Sequence, residues 1–109
     1  MEKVFVARRV AGKLFATEAA VDGALMEASE LMSEMLKARK DVNASLIFAD
    51  EAQVKLMDAL KALSDARSAM VAVHGELEEA KLRLGIRHSM NNEQKNYAQE
   101  TQEVTAKAV

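Results

Sequence analysis

The chain has no cysteine and no proline, and among its 109 residues there are only four glycines, three phenylalanines, one tyrosine and no tryptophan. Without cysteine, neither a disulfide framework nor a thiolate metal site can form, and a reducing, cytoplasmic setting is expected. Without proline, nothing in the sequence enforces a break in a long helix. The glycines stand alone at positions 12, 23, 75 and 85, so no glycine-rich loop is available to cradle a phosphate. β-Branched runs and hairpin dipeptides are scarce, which leaves little material for a sheet. No apolar run approaches the roughly 20 residues of a membrane span. Arg8, Arg9 and Lys13 interrupt the first twenty residues, where a signal sequence would need an apolar centre. A formal net charge of −2 lacks the basic excess of a general nucleic-acid binder, so no nucleic-acid partner is expected.

What is present is apolar over half its length and strongly periodic. In the second half, Ala49, Ala52, Leu56, Ala59, Leu63, Ala66, Met70, Val73, Leu77, Ala80 and Leu84 recur in alternating steps of three and four. That spacing places them on one stripe of a helix, as in the seam of a coiled coil. One line of the stripe is large and the other nearly all alanine, which predicts an Ala-rich seam and a close helix approach. In the first half, Val10, Leu14, Thr17, Val21, Ala24, Ala28, Leu31, Met35, Ala38 and Val42 repeat the pattern. A parallel line of Val4, Ala11, Leu25 and Met32, broken by Glu18, widens it.

These patterns predict an all-α hairpin within residues 1–88, with a first helix over about 3–40, a turn at about 41–45 and a second helix over about 46–84. A rival reading starts the second helix at Asp50, which with Gln53 resembles a capping box, and leaves Leu46-Ile47-Phe48 as a packed loop. Gly85 is placed to cap the second helix. Residues 89–109 are polar and aperiodic and predict a mobile tail.

Charge selects the orientation of the hairpin. Residues 1–17 carry Lys3, Arg8, Arg9 and Lys13 against Glu2 alone; residues 18–34 carry only acids; Lys37, Arg39 and Lys40 follow. Folding near residue 44 sets the acidic middle against Lys55, Lys61 and Arg67, the basic start against Glu76, Glu78 and Glu79, and Lys37 to Lys40 against Asp50 and Glu51. Each exposed pair contributes only about 0–1 kcal/mol, so charge specifies register rather than stability.

Candidate chemistry is sparse. His74 and Glu78 share a helix face, but no Glu-x-x-His pair of a di-metal bundle occurs. A boundary histidine bonded to a carboxylate is the favoured reading, and neither a metal nor another cofactor is expected. The serines have no suggestively placed histidine, so the chain reads as non-catalytic. The remaining signal is apolar surface beyond the seam. Val54, Met57, Leu60, Ser64, Ser68, Val71 and Gly75 on the second helix, with Leu25, Met32 and Leu36 on the first, form a candidate interface. A second copy is the simplest partner, giving a homodimeric four-helix bundle that serves as an interaction or scaffolding module for another protein. The alternative is a peripheral coat on a membrane or polymer surface, made by the basic amphipathic start through Arg8, Arg9, Lys13 and Phe15.

Overall fold

The computed structural model describes residues 2–86. The segment expected as a tail, 89–109, lies outside them. The described chain is all-α: helix α1 spans Lys3–Asp41 and helix α2 spans Asp50–Arg83, packed antiparallel as a hairpin. The connection, 42–49, lies later and runs longer than the expected turn at 41–45, and α2 begins at Asp50 rather than near 46.

Both C-terminal ends are closed by the same device. Asn43 takes φ 56°, its N–H donates to the Lys40 carbonyl at 3.0 Å, and the Ala44 N–H reaches back to the Arg39 carbonyl at 3.0 Å. Gly85 takes φ 80°, its N–H donates to Leu82 at 3.0 Å, and the Ile86 N–H donates to Lys81 at 3.2 Å. These are paired Schellman bonds around one left-handed residue. Gly85 caps α2 as its position predicts, whereas Asn43 ends α1 instead of starting α2. Arg39 and Lys40 in the last turn of α1 and Asp50 and Glu51 in the first turn of α2 complement the helix dipoles. Asp50 is the first helical residue, because the Gln53 N–H donates to the Ala49 carbonyl. It therefore acts through its charge rather than in a capping box. Leu46, Ile47 and Phe48 do not pack as a loop core; Ile47 is 83% exposed.

By its contacts the chain divides into two compact units, each a segment of α1 with a segment of α2. In the first, whose described residues are 2–19 and 70–86, Ala11, Leu14 and Phe15 form a buried cluster against which Met70 and Leu77 pack. The Phe15 and His74 rings lie 6.1 Å apart, tilted at 43°. In the second (Ala20–Ala69), Val21, Leu25, Ala28, Met32 and Met35 on α1 are half-buried, as are Gln53, Leu56, Leu60 and Leu63 on α2, and Arg67 meets Asp22 at 3.1 Å.

In both units the seam is rotated from the expected one. The lines through Leu14, Val21, Ala28 and Met35, and through Leu56, Leu63, Met70 and Leu77, do face inward. The second line on each helix is displaced by one residue. On α1 the line expected to widen the stripe, Ala11, Glu18, Leu25 and Met32, continued by Arg39, faces inward, while Val10, Thr17, Ala24, Leu31 and Ala38 are all exposed. On α2 Gln53, Leu60, His74 and Lys81 replace Ala52, Ala59, Val73 and Ala80, which are exposed as well, whereas Ala66 keeps its expected inward place and Arg67 is exposed. The seam is therefore not Ala-rich. Side-chain size explains the outcome. Burying leucine or methionine in place of alanine removes several more methylene-sized groups from water, at about 0.8 kcal/mol each. The polar residues on the chosen lines are tolerated because they are long or paired: Glu18 with His74, and Lys81 with Glu78 at 3.6 Å.

Candidate interaction surfaces

The residues expected to form an outer interface separate into two groups. Val54, Met57, Ser64, Ser68, Val71, Gly75 and Leu36 are exposed, with Val71 at 68%. Leu25, Met32 and Leu60 are half-buried on the helix–helix seam, so their apolar area is already in use within the hairpin. The outer strip is thus narrower than the sequence suggested.

The basic start of α1 also divides. Arg8, Arg9 and Lys13 are exposed, whereas Phe15 is buried in the first unit's core and cannot meet an external surface. Beside these cations lies a groove of about 680 Å³, with Val10, Leu14, Thr17, Met70, Val73 and Leu77 among its lining residues. Val10 and Val73 are each 41% exposed. A mostly apolar groove flanked by three cations suits an occupant with an apolar face and acidic margins.

The polar groups are committed locally. The His74 Nδ1–H donates to Glu18 Oε1 at 3.1 Å; the carboxylate can only accept, which fixes that tautomer. This is the boundary histidine expected from the sequence, although its carboxylate comes from α1 and not from Glu78. The Ser29 and Thr17 hydroxyls donate to the carbonyls of Leu25 and Lys13 at 2.9 and 2.8 Å, the back-bonding usual for these residues inside helices. Glu78 and Glu79 each pair with a base on their own helix, Lys81 at 3.6 Å and Arg83 at 2.6 Å. Lys61 likewise pairs with Asp65 at 3.0 Å. Arg67 with Asp22 is the cross-helix ion pair that the block pattern anticipated. Lys81 is buried at 8% exposure, and its Nζ has no hydrogen-bond acceptor. Among the described residues, no group of three or more His, Cys, Asp or Glu side chains could hold a metal ion. No helix among them is long and apolar enough to cross a membrane.

Two surfaces escaped the sequence reading. One is the exposed run Leu46-Ile47-Phe48 in the connection. The other is the outer face of α1, where Val10 and Leu31, assigned to the seam by periodicity, stand exposed. Comparing the summed size of each competing line, rather than its freedom from polar residues, would have found the second. No protein-family model, curated protein or solved structure matches this chain.

Proposed function

We propose that the chain is a non-catalytic helical interaction module that associates with a second copy and, as a bundle, serves as a scaffold. The observation that carries this reading is the amount of large apolar side chain left in water on both helices. Leu31 and Met26 on α1, and Val54, Met57 and Val71 on α2, are each about half exposed or more. Large apolar side chains exposed in this number on a small protein point to an interface. Light scattering over a hundredfold concentration range tests it. A mass twice that of the chain supports the reading, and a monomer throughout overturns it.

A second reading is favoured by the groove beside Arg8, Arg9 and Lys13: a coat on an anionic membrane or polymer surface. Phe15 takes no part in it, being buried. Co-sedimentation with anionic vesicles at low salt, abolished by Arg8→Glu with Arg9→Glu, would support this alternative. No co-sedimentation by the wild type would dispose of it.

A further inference from the structure

We infer that two copies pair through the outer face of α1, antiparallel about a two-fold axis beside Ala20, each copy's basic start lying on the other's acidic middle. This rests on the self-association proposed above and names the surface that performs it. Arg9, Val10, Lys13, Ala20, Glu27, Glu30 and Leu31 are all exposed on this surface. Among the described residues, none of the four charged side chains in that group has an ion-pair partner.

The argument for a second copy is self-complementarity. Residues seven apart lie on one line of a helix, and a two-fold axis perpendicular to α1 sets each line against its own reverse. The line of Val10 and Leu31 then pairs valine with leucine. The line of Lys13, Ala20 and Glu27 pairs Lys13 with Glu27 and places Ala20 against Ala20 on the axis. The line of Arg9 and Glu30 pairs arginine with glutamate. Each pairing between unlike residues occurs twice, and the Ala20 contact on the axis once. A parallel pairing in register would instead set Arg9 and Lys13 against their own copies, and the acids likewise, and such like-charge contacts are strongly disfavoured. Small residues fall where the helices would cross, since Thr17 and Ala24 flank Ala20 on this face, so the backbones can approach closely. At each end Leu31, 51% exposed, would come to the groove beside Val10 and Val73.

Charge exchange tests the pairing, read as the dimer dissociation constant by analytical ultracentrifugation, with circular dichroism to verify folding. Arg9→Glu with Lys13→Glu, and separately Glu27→Lys with Glu30→Lys, should each weaken self-association about tenfold or more. An equimolar mixture of the two variants should form a heterodimer of near wild-type strength, because every contact regains opposite charge. The neutral pair Arg9→Gln with Lys13→Gln should weaken the dimer by a smaller factor without adding repulsion, and it serves if either reversal impairs folding. A wild-type monomer at all concentrations would overturn both this inference and the self-association it rests on. A wild-type dimer indifferent to these changes, or a mixture without recovery, would overturn pairing through α1 alone. Loss of that dimer in Val71→Glu would then assign the contact to the outer strip of α2.

Discussion

Glu18 on α1 and His74 on α2, 56 residues apart in sequence, meet at 3.1 Å inside the seam of the hairpin. Their side chains are 27% and 23% exposed, and Phe15 flanks the imidazole. Glu18 is the residue that broke the apolar line of α1 in the sequence, and the histidine opposite is what lets that line face inward.

The pair should behave as a unit. Glu18→Ala or His74→Ala leaves the other group half-buried without its partner and should cost about 1 kcal/mol. Glu18→Leu with His74→Leu should recover most of that loss, since an apolar pair of similar volume commonly equals a buried polar one. A double-mutant cycle in urea denaturation measures the coupling; strict additivity would show that the contact contributes nothing.

Leu60 and Ala59 distinguish the observed seam from the periodic one. Leu60→Asp places a charge on the contact line and should destabilise by about 2 kcal/mol or more. Ala59→Asp, on the exposed line, should stay within about 0.5 kcal/mol of wild type. The reverse order of melting temperatures would restore the Ala-rich seam. Leu63 cannot decide the matter, because it lies on the line common to both seams.

Ala49 adopts φ 58°, a left-handed conformation disfavoured for a residue with a β-carbon. Ala49→Gly should therefore raise stability by about 1 kcal/mol, less the extra entropy glycine brings to the unfolded chain. Gly85→Ala, at φ 80°, should lower it by a similar amount. Thermal unfolding of the two variants should shift in opposite directions. A shift of the same sign would show that the relief of backbone strain does not govern the connection.

Lys81 holds a buried ammonium 3.6 Å from Glu78, without a hydrogen-bond acceptor. Lys81→Met keeps the length of the side chain and removes the desolvated charge. It should be neutral or stabilising by about 1 kcal/mol, whereas Glu78→Ala should destabilise by leaving the ammonium uncompensated. Chemical denaturation of both variants provides the check, and a clear loss of stability in Lys81→Met would show that the ion pair outweighs its burial.

Much of the fold is legible in the sequence. The lack of proline and the three–four periodicity determined two long antiparallel helices, because local hydrogen bonding and an apolar stripe suffice to specify them. Gly85 as a cap, and the opposition of Arg67 to Asp22, could also be read from residue type and order. Rotation about the helix axes could not. Two overlapping stripes a single residue apart are equally periodic, and only the packing of Phe15, Leu25, Met32 and Leu60 against real neighbours chooses the larger one. The start of α2 at Asp50 was legible only as the rival placement, because Asn43, a residue that also favours helix starts, closes α1 with a left-handed turn. The sequence by itself determined the elements, their order and their direction. Tertiary structure decided which faces they bury, because that depends on the total area and pairing of both helices together and not on the pattern of either alone.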